Sequence, residues 1–132
     1  MLITRRSDYA LRICRVLQDG KIHNVTEICQ AEDVPKAFAY KILREMEQKS
    51  IVHSERGNRG GYRLNVSLDD ITLFDIVMEL DDDVSMIHCV KEGCPRDTKD
   101  EPCRMHEEIV RIQSILITEM SRKSIAQILG CD

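Results

Sequence analysis

The chain has 132 residues, of which 42% are hydrophobic and 32% charged; this suits one compact domain, or one domain plus an extension used for oligomerisation. No apolar run approaches the roughly 20 residues that cross a bilayer, and the N-terminus lacks the pattern of an export signal, so we expect no membrane association and a cytoplasmic location. The net charge of −4 is uneven, because residues 1–67 hold 12 Lys and Arg against 8 Asp and Glu, whereas residues 68–132 hold 7 against 15. A polyanion such as nucleic acid would therefore bind the first half.

The first predicted helix begins after Thr4, its expected N-cap, and continues to about Gln18. Apolar residues recur in this segment at three-to-four-residue spacing, and Gly20 ends the pattern. Cys14 shares the apolar side and is expected in the core. The apolar positions are Tyr9, Ala10, Ile13, Cys14, Val16 and Leu17.

Two further predicted helices form a helix-turn-helix. Thr26 is the expected N-cap of a second helix of about two turns that ends near Asp33. Pro35 suits the first position of a third helix, which continues to about Lys49. A short helix, a tight turn and a longer helix are typical of the motif. The apolar positions are Ile28 and Cys29 in the second helix and Ala39, Ile42, Leu43 and Met46 in the third.

We expect the first turns of this third helix to lie in the DNA major groove, because the N-terminal residues of the second helix of a helix-turn-helix contact the base edges there. By itself the helical spacing of Lys41 and Arg44 also fits an ordinary solvated face, so the next segment decides the interpretation. The candidate DNA contacts in the helix are Lys36, Ala37, Phe38, Tyr40 and Lys41.

A β-hairpin wing is predicted after the third helix. Residues 51–55 have the composition of a short strand, residues 57–61 form a glycine-rich turn, and residues 62–64 begin a return strand. Glycines allow close backbone approach, and arginine can enter a narrow minor groove. An exposed hairpin with solubilising charges is the alternative. The candidate contacts in the wing are Arg56, Asn58, Arg59 and Arg63.

The acidic half begins with a helix over residues 70–80 that is expected to pack the wing back onto the domain through Leu73, Ile76, Val77 and Leu80. Three aspartates, residues 81–83, end it. They lack the alternating ligands and central glycine of a calcium loop, so we interpret them as a solvated acidic turn.

A long helix is predicted over residues 104–122, and its apolar surface is too large for one small core to cover. Such a helix most economically packs against a copy of itself, which gives a twofold dimer that matches a palindromic operator. A short docking helix follows from Ser124, with Ile125, Ile128 and Leu129. The long helix carries Ile109, Ile112, Leu116 and Met120 in a seam, with Val110, Ile115 and Ile117 beside it.

Three cysteines, Cys89, Cys94 and Cys103, lie in a polar segment with His106 three residues further on. A polar loop buries little, so these thiols are not expected as core residues, and a reducing compartment disfavours structural disulfides. The segment has no close pair of the kind that zinc prefers. Spacing alone leaves an iron–sulfur cluster, zinc and a metal-free thiol switch open.

These motifs together resemble the Rrf2 superfamily of bacterial regulators, in particular its cluster-binding IscR and NsrR types. The resemblance covers nearly the whole chain and rests on residues 9–12, Ile42-Leu43, the segment from Arg56 to Tyr62, and the three cysteines before a long helix. It implies a mainly α fold with a small β-hairpin: a winged helix-turn-helix with a linker helix (residues 1–80), a cluster-binding loop (81–103), and a dimerisation helix with a docking helix (104–132). It also implies an operator-binding homodimer whose wing arginine, matched by Arg56 or Arg59, enters the minor groove.

The resemblance implies two possible ligand sets for the cluster. In the IscR type three cysteines and a histidine three residues after the last hold a two-iron cluster, which Cys103 and His106 match. In the NsrR type an aspartate early in the first helix of the partner subunit completes a four-iron cluster, and Asp8 occupies such a position. We favour His106, although the cysteine spacing departs from the more even family pattern.

The sequence thus predicts an iron–sulfur-dependent transcription regulator, a repressor that senses iron–sulfur status. A nitric-oxide sensor of the NsrR type and a metal-free regulator that responds through thiols or a partner are the alternatives. Catalysis is not expected, because the sequence offers no substrate pocket, paired carboxylates or nucleotide loop. Cluster state is expected to reorder the cysteine loop and so change the spacing of the two DNA-reading heads.

Overall fold

The structure, a computed structural model, describes residues 3–81, 83, 85 and 88–130, and for His88 and Cys89 it describes the backbone alone. It is mainly helical with one two-stranded antiparallel hairpin, as predicted. The elements are α1 (Arg5–Leu17), α2 (Val25–Glu32), α3 (Lys36–Gln48), β1 (Val52–Glu55), β2 (Gly61–Leu64), α4 (Leu73–Asp81), α5 (His88–Glu92), α6 (Arg104–Met120) and α7 (Ile125–Leu129).

Helix α1 confirms the predicted start and the predicted core position of Cys14. The Thr4 side chain accepts hydrogen bonds from the backbone N–H groups of Arg6 and Ser7, so it satisfies two donors that the first turn leaves unpaired. Cys14 is fully buried. One side of α1 therefore anchors the main core, together with α2, α3 and α7.

The N-terminal ends of α2 and α3 each differ from the prediction by a short shift. Asn24, not Thr26, caps α2: its backbone is extended, and its side chain accepts the Glu27 N–H at 2.8 Å. Thr26 already lies inside the first turn. Pro35 is the N-cap residue of α3 and not its first helical residue, since its ψ of 134° is extended and the helix begins at Lys36.

The wing is attached to the chain that precedes α2. The N–H of His23 donates to the Tyr62 carbonyl at 2.9 Å, and the N–H of Tyr62 donates to the His23 carbonyl at 2.8 Å. A Cβ at Gly61 would lie 2.3 Å from the His23 carbonyl oxygen, so only glycine permits this approach. Gly61 thus belongs to β2, although the sequence pattern assigned it to the turn.

Helix α4 begins at Leu73, three residues after the predicted start, and buries Ile76, Val77 and Leu80 as predicted. Its main contacts are with α1 and α6, and not with the wing as expected. The interpretation of the aspartates as a solvated turn is wrong for Asp81, which is the last residue of α4 and only partly exposed. Its carboxylate accepts the hydroxyls of Thr4 at 2.6 Å and Ser7 at 2.5 Å. Asp81 therefore joins the end of α4 to the start of α1.

Helices α5 and α6 form the C-terminal arm. The sequence pattern left residues 88–92 in a loop, but their backbone is helical. Helix α6 ends at Met120, two residues before the predicted end, and Met120 packs with Val77 of α4 in a small second cluster. No helix among the described residues is long and apolar enough to span a membrane.

Helix α7 docks on the main core as predicted. Ser124 and Gln127 form a capping box, and Ile125 and Ala126 are buried. The N–H of Ile125 donates to the Ile71 carbonyl at 2.8 Å, which attaches α7 to the segment before α4. Ile128, expected on the docking side, is instead half exposed.

Candidate DNA interface and cysteine site

The exposed face of α3 and the start of β2 together line a groove of about 440 Å³. Helix α3 buries one side in the core and leaves the other in solvent, because its apolar residues occupy a single stripe. Tyr40 is 51% exposed and Lys41 is also exposed. The remaining lining residues are Ala37, Arg44, Glu47 and Tyr62.

Glu47 fixes the position of the wing relative to this helix. Its carboxylate accepts both the hydroxyl and the backbone N–H of Ser54 in β1, and the Ser54 hydroxyl, as the main cause, holds the pKa of Glu47 below its usual value. Helix α3 forms one wall of the groove and the hairpin forms the other, and these hydrogen bonds fix the position of one wall relative to the other.

The predicted contact residues at the start of α3 differ in their surroundings. Lys36 and Ala37 are exposed. Phe38 is partly exposed, but its ring packs on Tyr9 of α1 with centroids 5.8 Å apart, and Arg12 lies 6.0 Å above the Tyr9 ring. Phe38 thus helps to seat α3 on α1.

The wing presents its cationic residues to solvent. Arg56, Asn58 and Arg59 are exposed around the tip. Arg63 is exposed as well, and its guanidinium lies 3.2 Å from the Glu55 carboxylate across the hairpin. Arg56 directly precedes the glycine-rich turn and Arg59 lies within it, so these two arginines are the cations at the tip of the wing.

The cysteine segment contributes two described thiols. Cys94 follows α5 and Cys103 is the N-cap residue of α6; both are free and partly exposed. The Cys103 side chain makes no capping hydrogen bond. The side chain of Cys89 lies outside the described residues. Among the described residues, no three His, Cys, Asp or Glu side chains lie close enough together to hold a metal ion.

Asp97 joins the two cysteines and His106. Its backbone N–H donates to the Cys94 carbonyl at 3.0 Å, and its Oδ1 accepts the Cys103 N–H at 2.9 Å. Its Oδ2 lies 3.6 Å from Nε2 of His106, one turn into α6. Nothing in the pattern of a polar loop distinguishes Asp97 from Asp100 or Glu101, so its place between these groups was not predicted.

The donor set fits a metal cluster in one respect. Nδ1 of His106 is buried and has no hydrogen-bond partner among the described residues. A buried polar atom without a partner is costly unless something binds it. Thiols and an imidazole nitrogen are also the ligand types that iron–sulfur clusters take.

Asp8, the alternative fourth ligand, lies on a different part of the protomer surface. Its carboxylate pairs with Arg12 one turn along α1, at 3.2 Å. It lines a second groove, of about 470 Å³, between α1 and α7, together with Leu11, Arg15, Leu73, Ile125, Ile128 and Leu129.

Comparison with protein families adds to this geometry. The model of the Rrf2 family, described as an iron-dependent transcriptional regulator, matches residues 3–130. The chain belongs to the Rrf2 family. Members of this family are transcription regulators and not enzymes, as predicted for this chain.

Relatives of this Rrf2 regulator include a curated protein and several solved structures. Protein aau3 of Rhizobium meliloti is 33% identical over 100 residues, which cover 72% of this chain; the match spans 65% of the length of that relative. CymR, the global cysteine regulator of B. subtilis, has the same fold with a TM-score of 0.81 at 20% identity, covering 100% of this chain and 98% of its own. IscR of T. potens superposes with a TM-score of 0.74 at 14% identity, covering 98% and 87%.

The groove of this Rrf2 regulator contains Arg44 and Tyr62, which were not among the predicted DNA contacts. Arg44 lines the same groove as Tyr40 and Lys41. A signal existed, because Arg44 follows Lys41 by three residues and Tyr40 by four, and such residues share a helix face. Tyr62 had no such signal, since its place beside α3 depends on the return of the hairpin.

Proposed function

We propose that this chain is an iron–sulfur cluster-dependent transcriptional repressor of the IscR type, which binds operator DNA as a homodimer and senses iron–sulfur status. The observation that carries the sensing part is the buried, unpartnered Nδ1 of His106, one turn after the Cys103 thiol at the start of α6. It is a ligand atom of the right type, already removed from water and hydrogen-bonded to no described group.

DNA binding is proposed to use α3 in the major groove and the wing in the minor groove. Lys36, Ala37, Tyr40, Lys41 and Arg44 would contact the major groove, with Phe38 seating the helix. In the wing, Arg56, Asn58, Arg59 and Arg63 would contact the minor groove or its phosphates. Lys41 and Arg44 line one groove, and Lys36 and the wing arginines are exposed. This supports the assignment, because phosphate contacts supply most of the affinity and position the reading helix.

A salt titration tests this interface. Duplexes selected from a random-sequence pool by the wild-type protein provide the probe, and Kd is measured at several salt concentrations. We expect Lys41→Ala with Arg44→Ala to weaken binding, and to lower the slope of log K against log salt by about 0.9 for each phosphate that the protein no longer neutralises. Lys123→Ala, an exposed change beyond α6, is the control and should leave the slope unchanged. Equal slopes in all three proteins would exclude the proposed face.

The cluster is proposed to be held by Cys89, Cys94, Cys103 and His106, and a two-iron form is favoured. When bound, it would supply redox and ligand sensitivity that the polypeptide lacks. The thiols and Nδ1 of His106 would bind it, and the N-terminus of α6 would place a partial positive charge beside the thiolate of Cys103. The described donors do not converge in this conformation, so the segment that carries Cys94 would have to approach Cys103 and His106 while Asp97 keeps its contacts with them.

Such a movement has a path to the DNA-binding elements. Helix α6 packs through Met120 on Val77 of α4, and α4 is joined to the start of α1 by the bonds from Thr4 and Ser7 to Asp81. Helix α1 in turn seats α3 through Tyr9 and Phe38. A tenfold change in operator affinity needs about 1.4 kcal/mol of differential cluster binding between two conformations.

Spectroscopy of anaerobically purified protein tests the cluster and its fourth ligand. We expect a two-iron ultraviolet–visible and Mössbauer spectrum that His106→Ala alters and Asp8→Ala does not. A four-iron spectrum that depends on Asp8 would instead indicate the NsrR type and nitric oxide as the signal. If Cys94→Ala removed the cluster but left binding to every selected duplex unchanged, the sensing role would be refuted.

A metal-free, thiol-responsive regulator is the second candidate. It is favoured by the dispersed donors among the described residues and by the likeness of the fold to CymR, a cysteine regulator. Iron-free protein whose DNA affinity changes when Cys94 and Cys103 are oxidised would support this candidate over the first.

A further inference from the structure

The side chain of Asp97 contacts both the backbone of the last cysteine and the histidine of the site. One carboxylate oxygen accepts the Cys103 N–H, and the other faces Nε2 of His106 at 3.6 Å. Its own N–H is bonded to the Cys94 carbonyl. An aspartate has two acceptor oxygens and each has a separate task here, so an asparagine could serve only one of them.

The two ring nitrogens of His106 have different surroundings. Nε2 faces a carboxylate, which attracts an N–H group, and a shift of a few tenths of an ångström would make this a hydrogen bond. Nδ1 is buried without a partner among the described residues. A neutral imidazole protonated on Nε2 satisfies the first contact and leaves a lone pair on Nδ1.

We propose that Asp97 is a positioning residue that holds His106 in the Nε2–H tautomer and so makes Nδ1 the metal-binding nitrogen. The inference rests on the proposed function, because it assigns a role at the same site. A carboxylate behind a ligating histidine fixes the ring orientation and raises the basicity of the ligand nitrogen. By also holding the Cys103 N–H, Asp97 ties the histidine to the neighbouring thiol.

The first test uses the protein without a cluster, so its result does not depend on iron binding. Protein labelled with ¹⁵N-histidine is examined by long-range ¹H–¹⁵N correlation at about pH 8, where an ordinary histidine is neutral, and His106→Ala identifies the signals of His106. We expect the Nε2–H tautomer in the wild type and a mixture of tautomers in Asp97→Asn. Asp100→Asn, a change at an exposed position of the same loop, should match the wild type.

The second test uses the same ¹⁵N-labelled proteins after anaerobic reconstitution with iron and sulfide. Pulsed electron paramagnetic resonance of the reduced cluster measures the coupling to the histidine nitrogen. We expect Asp97→Asn to retain iron but to shift this coupling and the reduction potential towards those of His106→Ala. Asp100→Asn should again match the wild type. A role confined to folding would lower the iron content without changing the tautomer.

The outcomes separate the two proposals. A wild type that binds no iron would refute the proposed sensing function, while the tautomer measurement would still test Asp97. A wild-type Nδ1–H tautomer, or an Asp97→Asn protein with wild-type tautomer and coupling, would overturn the inference. A changed tautomer with unchanged nitrogen coupling would also overturn it, because Nδ1 would then not be the ligand.

Discussion

The cysteines whose side chains are described differ in how much water reaches them. Cys14 is fully buried on α1, and desolvation of the thiolate raises its pKa to about 12. Burial also raises the pKa of Cys29, with Lys36 acting in the opposite direction. Cys94 and Cys103 are partly exposed at the start of the C-terminal arm. Since the thiolate is the reactive form, chemistry is expected at the arm and not in the core.

Cys14 should therefore be inert to alkylation in the native protein. We expect iodoacetamide at about pH 8, near the ordinary thiol pKa, to label Cys94 and Cys103 of the cluster-free protein while Cys14 stays unmodified until denaturant is added. Mass spectrometry of peptides gives the rate at each site. Native labelling of Cys14 at the rate of Cys94 would contradict its assigned burial.

At the scale of elements, Asp81 connects α4 with α1. Both of its carboxylate oxygens accept a hydroxyl, one from the α1 N-cap Thr4 and one from Ser7. Ser7 is the fully buried polar residue of the described core, so its hydroxyl depends on this partner. The contact lies where motion of the C-terminal arm would reach the elements that we propose bind DNA.

Replacing Asp81 by Ala should destabilise the protein by about 1–3 kcal/mol, because a buried hydroxyl loses its acceptor. Chemical denaturation gives the free energy of unfolding. Asp70→Ala, at an exposed site before α4, is the matched control and should change it little. Ser7→Ala combined with Asp81→Ala should cost less than the sum of the single changes; full additivity would mean that the two side chains do not interact.

The attachment of the wing to α3 should depend on pH through Glu47. Donation from the Ser54 hydroxyl lowers the Glu47 pKa from its usual 4.5, so the contact stabilises the fold above that value and is lost as pH falls through the lower folded pKa. We expect Ser54→Ala to lower Tm at neutral pH, with the difference from wild type shrinking below about pH 4.5.

Glu47→Gln serves as the control for this dependence. The amide cannot ionise, so the difference in Tm that Ser54→Ala makes in a Glu47→Gln background should stay flat over the same pH range. A difference that persists unchanged to the lowest pH in the Glu47 protein would show that the carboxylate charge has no part in holding the wing.

At the scale of the molecule, α6 leaves apolar side chains uncovered. Leu116 and Ile117 pack towards α4, whereas Met105 is 74% and Ile115 51% exposed, and Ile112 is exposed on the same side as Ile115. Exposed apolar surface of this kind is typical of a protein interface. It supports the predicted homodimer, which stays a prediction.

We expect Ile112→Glu with Ile115→Glu to convert a dimer into a monomer of 15.2 kDa, because each carboxylate would have to be desolvated in the interface. Sedimentation equilibrium measures the mass. Ser114→Glu, at an exposed position about 100° or more around the helix from both isoleucines, should remain dimeric. Wild-type protein that is monomeric at micromolar concentration would contradict the predicted dimer.

Local signals were sufficient for most elements. Apolar spacing and the Thr4 cap set α1, the pattern around Ile42 and Leu43 set α3, and the glycine-rich turn set the hairpin. Helix α5 was missed because five residues give no measurable periodicity. The hydrogen bonds by which Asp97 connects the backbones of Cys94 and Cys103 were not predicted, because a single aspartate in a loop has no sequence pattern.

The sequence by itself thus determined the fold class, helix α3, the hairpin and the place of the cysteine segment, since caps, turns and apolar periodicity act over a few residues. Tertiary structure decided features that join distant parts of the chain. Pairing of His23 with Tyr62 fixes the extended backbone ahead of α2, and Asn24 rather than Thr26 then caps that helix. Asp81 finds Ser7 across 74 positions, and His106 receives its carboxylate from a loop nine residues earlier. These contacts depend on where packing brings separate elements together, which local spacing does not encode.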